Sequence, residues 1–292
     1  ALAHQPLQID VREAEGDPII LSKDPAKLII DASVTWLAKG HYLISGTYSS
    51  DRDLMANGIY VSEFKNGDQL FIAYNSFTDL KNFTEYLSGK RKEKLDKKIE
   101  KKKEKGMTDF VEAYVVDHPI FEHNGEYIYI GEVYYPTYRT EYYTTYVGGK
   151  PTTQTRRVFD GYQYTHSTVI GMDKNGKKNW DFCFEMWLDY KPFFRKRFIR
   201  KVIEKDELRL IFTTGTNFKA MVIKGGERTM KDLGTIEYLD ENEKLKYAGN
   251  VNTEYWYGNY FLAAGSKRIK EEDKKGKMKK KTVFYLVKIK FD

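Results

Sequence analysis

Five histidines, His4, His41, His118, His123 and His166, are the side chains of this 292-residue chain best placed to move protons or hold a metal. The densest set of potential ligands is Asp117-His118-Pro119-Ile120-Phe121-Glu122-His123. In an extended segment, residues 118 and 123 face opposite sides, which opposes joint ligation. A zinc site needs three or four converging ligands. The stretch therefore reads as a turn with ordinary surface histidines, and no metal or cofactor is expected. His166 would need a partner and a nucleophile in reach to act as a base. Its neighbours Thr165 and Ser167 lie on the other side of a strand, so it reads as a structural histidine tying a hairpin to its sheet.

Carboxylates give little more. Glycan cleavage needs two of them about 5–10 Å apart; Asp31, Glu63, Glu132, Asp160 and Asp189 are candidates that no spacing pairs. Asp173-Lys174-Asn175-Gly176 resembles the start of a calcium loop, but position 12 is Phe184 rather than Glu, so it reads as a hairpin turn. Cys183 is the single cysteine; it sits in the alternating run Trp180 to Met186 and reads as a buried structural thiol. No nucleophile elbow, phosphate loop or dinucleotide glycine pattern occurs. No catalytic residue is assigned.

The elements that carry these residues are strands. The chain has 23 Tyr and 17 Phe but only 7 Pro, which suits pleated, half-buried surfaces. Three segments share a Gly-polar-Tyr start and an apolar run: Gly40–Gly46, Gly125–Gly131 and Gly258–Gly265, with a weaker copy at Glu207–Gly215. Each is followed by a second strand, often ending in a turn such as Asn66-Gly67, Asn175-Gly176 or Gly225-Gly226. A third strand follows in two copies, at Gln69–Tyr74 and Asn179–Phe184. Two insertions explain the uneven spacing. Residues 78–107 form a charged helical insertion, with Thr78 as N-cap and Leu80, Phe83 and Leu87 on one face. Residues 136–160 form a long Tyr-rich hairpin around Gly148-Gly149. The expectation is one all-β domain over 1–292, a β-propeller-like repeat of about four to five blades. Pro6–Val11 is expected to supply a closing outer strand.

Phe159-Asp160-Gly161-Tyr162-Gln163-Tyr164-Thr165-His166, with Asp173–Gly176 and Trp180-Asp181, resembles uncharacterised propeller-like proteins of Bacteroidota over residues 125–190. That resemblance implies a propeller fold and an envelope-associated bacterial protein in the periplasm or at the cell surface. It carries no catalytic residue across.

Binding is the function left. Tyr138, Arg139, Tyr142, Tyr143 and Tyr146 are the candidate partner-binding residues, because tyrosine offers an apolar body and a polar tip. The basic run Lys90–Lys105 has ten Lys/Arg against four Asp/Glu; it could touch nucleic acid or anionic lipid, but interleaved acids and missing aromatics favour a solvated protrusion. A net charge of +7 is too local to gather nucleic acid. Peripheral membrane proximity is compatible with the sequence, while a transmembrane segment is not expected. Ala1-Leu2-Ala3-His4 lacks the regions of a secretory signal and reads as a mature or excised start. The expected function is a non-enzymatic scaffold of a bacterial envelope assembly that binds other proteins. The alternative is a glycan-binding or glycan-cleaving propeller with a central-channel pocket.

Overall fold

The computed structural model describes residues 20–51, 54–191, 194–214, 217–235, 244–248, 251–272 and 278–291. The protein is mostly β, in four antiparallel sheets that follow one another along the chain. Contacts divide it into two units, one ending at Lys196 and the other beginning at Arg197. The expected closing strand Pro6–Val11 lies outside the described residues.

The first sheet comprises β1 (Leu28–Ile29), β2 (Ser33–Ala38), β3 (His41–Ser49), β4 (Gly58–Lys65) and β5 (Asp68–Ser76). It is a meander in which β1 and β2 both pair with β3, as two pieces of one broken strand. After helix α1 (Gly89–Glu104), the second sheet repeats the plan. β6 (Tyr114–Asp117) and β7 (Phe121–His123) both pair with β8 (Glu126–Val147), which continues into β9 (Lys150–Met172) and β10 (Lys178–Tyr190).

The second unit holds β11 (Arg200–Glu204), β12 (Glu207–Thr214), β13 (Asn217–Lys224) and β14 (Glu227–Thr235), an unbroken meander. Its other sheet has β15 (Lys244–Ala248) and β16 (Asn252–Tyr257), both on β17 (Tyr260–Glu272), and then β18 (Met278–Lys290). The Gly-polar-Tyr segments are thus second strands: β3, β8, β12 and β17 each have a strand before them that the sequence reading lacked. These leading strands are short or broken, so no long apolar run announces them.

Two turns follow the expected chemistry, since Asn66 (φ 54°) and Gly67 (φ 91°) both have positive φ, as do Gly225 and Gly226. The Asp173–Gly176 turn differs. Only Gly176 has positive φ, and Asp173 Oδ1 accepts from the amides of Asn175 and Lys177, both at 2.9 Å. An Asx-type turn replaces the mirror-image one because the aspartate supplies the acceptor.

Sheets one and two share a core. Leu43, Ile59 and Val61 pack with Tyr129, Val133, Ile170 and Met172. A second cluster containing Ile44, Tyr48, Tyr60 and Phe64 lies on the other face of sheet one, so β3 and β4 are buried on both faces, as their near-continuous apolar runs require. Polar bonds cross between the sheets as well: Tyr127 donates to Glu63 Oε2 at 3.1 Å, and Asn75 Nδ2 to the Gly176 carbonyl at 2.8 Å. The sheets of the second unit meet through Ile211, Ala220, Phe261 and Phe291.

The helical expectation over 78–88 is corrected. Phe77–Asp79 is a short 3-10 turn capped by Ser76, not Thr78, and the α-helix spans the charged residues Gly89–Glu104. Leu80 and Phe83 are buried in irregular turns. Single-turn bonds such as Leu80 N–H to the Phe77 carbonyl (3.3 Å) replace a continuous helix, and between them the Asp181 carboxylate accepts from the amides of Lys81 (3.1 Å) and Asn82 (2.7 Å).

One packing device recurs in three sheets, an aromatic ring laid over the glycine directly across the ladder. The pairs are Tyr48 on Gly58, Trp180 on Gly171 and Tyr285 on Gly265. A Cβ on Gly171 would run into the Trp180 indole. Gly171→Ala should therefore lower stability by about 1–3 kcal/mol through overpacking, read as a shifted urea midpoint; an unchanged midpoint would show that the indole yields freely.

Candidate functional site: the Tyr hairpin and the aromatic cleft

β8 and β9 run together for their whole length, from Tyr127↔Met172 to Val147↔Lys150. β6 accompanies them only to Tyr134, and β10 only to Tyr162. Beyond that point the hairpin is a two-stranded ribbon closed by Gly148 (φ 58°) and Gly149 (φ 79°). The two glycines supply the positive φ of a two-residue turn whose twist matches the strands.

Alternation sorts the candidate residues. Positions 134, 138, 142 and 146 lie on one face of β8, and 139 and 143 on the other. Tyr138, Tyr142 and Tyr146 are brought together as a row, 51%, 75% and 75% exposed. Arg139 and Tyr143 are separated from them. That second face is self-satisfied: Glu141 accepts from Arg139 (2.7 Å) and Arg156 (2.9 Å), and Tyr143 donates to Gln154 (2.9 Å). Arg139 and Arg156 hold the Glu141 carboxyl below the usual carboxylate range.

The tyrosine row is rooted in the core by a ladder of rings. Tyr164 and Tyr134 are buried and 5.6 Å apart; Tyr134 meets Tyr162 at 5.3 Å, Tyr162 meets Phe159 at 5.0 Å, and Phe159 meets Tyr138 at 6.1 Å. Two register shifts, at Val133/Tyr134 and Thr137/Tyr138, each place one extra residue on β9; such bulges re-aim the side chains that follow. The root is fastened further by Arg195, which donates to the Tyr134 hydroxyl at 3.1 Å, and by Lys191, 2.7 Å from Asp160. Sequence reasoning missed Tyr134, Phe159 and Tyr162. The signal for Tyr134 was the four-residue spacing 134, 138, 142, 146, which in a strand marks one face; Phe159 and Tyr162 gave none, because a bulge on β9 between them breaks the alternation.

A second feature lies at the hairpin's base. A cleft of about 260 Å³ is lined by Phe83, Tyr86, Leu95, Ile99, Phe110 and Tyr135. Behind Tyr86 sits His166, fully buried, its ring stacked on Tyr86 at 4.0 Å and edge-on to Phe83 at 4.9 Å. Nδ1 is 3.0 Å from Thr165 Oγ1, and Nε2 has no hydrogen-bond partner. Burial holds the imidazole neutral, its pKa lowered to about 3. Ser167 is on the opposite face of β9, so the two do not form a nucleophile–base pair. Opposite His166, β10 bulges at Met186 and Trp187, and Trp187 takes a positive φ of 50°, an outlier for so bulky a residue.

His4 lies outside the described residues, and the other candidates have partners. His118 is a correction: it is buried rather than a surface histidine, with Nε2 2.7 Å from Glu132 Oε1. The buried Glu132 is the cause, because an enclosed carboxylate needs a partner. Glu63 lies 2.6 Å from His41 Nε2, Asp31 accepts from Thr47, and Asp189 accepts from Gln163 at 3.1 Å. No group of three metal-ligating side chains occurs among the described residues. Cys183 is buried. Comparisons with protein families, curated proteins and solved structures find no match.

A buried neutral histidine has a defined pH signature. The unfolded chain binds its proton near pH 6.5 and the folded one only near 3. Stability is therefore full above 6.5 and falls as pH drops towards 3. Between pH 7 and 4.5 the parent should lose about 2–3 kcal/mol more than His166→Phe in urea titrations; parallel losses would show that His166 is protonated within the fold.

Proposed function

We propose that the chain is a non-enzymatic binding subunit of a bacterial envelope assembly, recognising another protein through one face of the β8–β9 hairpin. The observation that carries this reading is the row Tyr138, Tyr142 and Tyr146, exposed on a ribbon whose base is locked by buried rings. A preorganised aromatic row lowers the ordering cost of association, and tyrosine is enriched at such interfaces. The envelope setting rests on the resemblance carried by residues 159–181. The four successive meanders, three with a broken first strand, support reading the sheets as blades of a propeller-like repeat.

The glycan-cleaving alternative asks for two carboxylates free to share a reacting centre. Glu63, Glu132, Asp31, Asp160 and Asp189 each face a non-carboxylate partner instead, which favours binding over hydrolysis.

Tagged chain purified from the source envelope should carry a stoichiometric protein partner. Tyr142→Ser with Tyr146→Ser should weaken its retention about tenfold or more, as loss of interface anchors does. Deletion of 136–160 should abolish retention while the thermal transition stays within a few degrees of the parent. A partner retained by both variants would remove the hairpin from the interface.

A further inference from the structure

Acidic and basic residues alternate along α1 in sequence but separate in space. At about 100° per residue, Lys90, Arg91, Lys94, Lys97, Lys98, Lys101 and Lys105 fall within an arc of about 120°. All seven are exposed. Glu93, Glu100 and Glu104 gather on one flank, Leu95 and Ile99 turn inward to the cleft, and Lys98, at the edge of the stripe, also borders that cleft.

The other three cations of the helix have partners. Lys92 Nζ lies 2.6 Å from Asp96, Lys103 Nζ 3.4 Å from Asp79, and Lys102 sits 4.8 Å over the Phe110 ring. None of the seven outward cations has an ion-pair partner among the described residues.

Helix stability does not explain the stripe. Basic residues in the last turn suit the helix dipole, but Lys90 and Arg91 stand in the first turn, which has no acid, and oppose it. The pairs 90/94, 94/98, 97/101 and 101/105 place like charges one turn apart, which is destabilising. Ser88, the N-cap, makes no side-chain cap bond. Four like-charge pairs stand against one favourable pair at the same spacing, Glu93 with Lys97, so the stripe costs the helix more than it gives.

We propose that this face of α1 docks on an anionic lipid bilayer, with the helix lying along the surface. A plane touches a convex helix along one line, and the stripe runs about 22 Å along that line. Lysine stems can lower their ammonium groups into the headgroup layer. A polyanion that wrapped the helix would meet the glutamate flank, whereas a tangent plane clears it. The stripe also has no aromatic ring on which a base could stack. The attraction is Coulombic and therefore salt-sensitive.

Flotation of the full chain with vesicles tests this. Phosphatidylcholine vesicles with about 30 mol% phosphatidylglycerol should carry the protein at low salt and release most of it by about 300 mM NaCl. Replacing Lys90, Lys94, Lys97, Lys101 and Lys105 by Gln should weaken binding about tenfold or more with an unchanged thermal transition. Glu93→Gln with Glu100→Gln and Glu104→Gln should bind at least as well as the parent. Equal binding to pure phosphatidylcholine, undiminished binding of the five-lysine variant, or tighter binding to duplex DNA at equal phosphate would overturn the proposal.

Discussion

A two-stranded ribbon that outruns its sheet is marginally stable in water, and the β8–β9 hairpin outruns both of its neighbours. What keeps it in one conformation is the ring ladder from Tyr164 through Tyr134, Tyr162 and Phe159 to Tyr138. Each contact lies in the range where aromatic pairs add roughly 0.5–1.5 kcal/mol beyond burial. The ladder starts among buried residues and ends at Tyr138, so core rigidity reaches the first tyrosine of the row and the strand that carries the next two.

The root itself depends on the join between the first two sheets. Asp181 is buried on β10 and clasps the amides of Lys81 and Asn82. That clasp sets the turns that place Phe83 and Tyr86 over His166, against the bulge in β9 from which the ribbon begins. Losing those donors would leave the buried carboxylate with Lys178 alone, 3.1 Å away, and would be destabilising. The same segment also positions α1, since Thr84 donates to Asp96 at 2.7 Å. Hairpin, cleft and helix are therefore three consequences of one packing arrangement within the first unit.

Much of this was legible in residue types. The second strands were found because their both-face burial leaves unbroken apolar runs, and the Gly148-Gly149 turn because only such residues accept its dihedrals readily. The leading strands were not, because β1, β2, β6 and β7 have two to six residues each. The 78–88 misreading has a physical origin too: Leu80, Phe83 and Leu87 have helical spacing, but a carboxylate 100 residues away supplies the acceptors that a helix would otherwise provide. Tertiary context overrode local periodicity. At the site, the tyrosines were visible but their faces were not separated, and the acids of α1 looked interleaved until the helix was wound.

The chain is best understood as a β scaffold that presents two unlike surfaces, an aromatic row on a ribbon and a cationic stripe on a helix. If the row binds a partner as proposed, the self-satisfied opposite face of the ribbon should not. Site-specific photocrosslinking in cells of the source organism, with the probe at Tyr142 or, on the other face, at Tyr143, reads the two faces separately. Binding through the row would give a single discrete protein adduct from position 142 and none from 143. Adducts of equal yield from both positions, or from 143 alone, would contradict it.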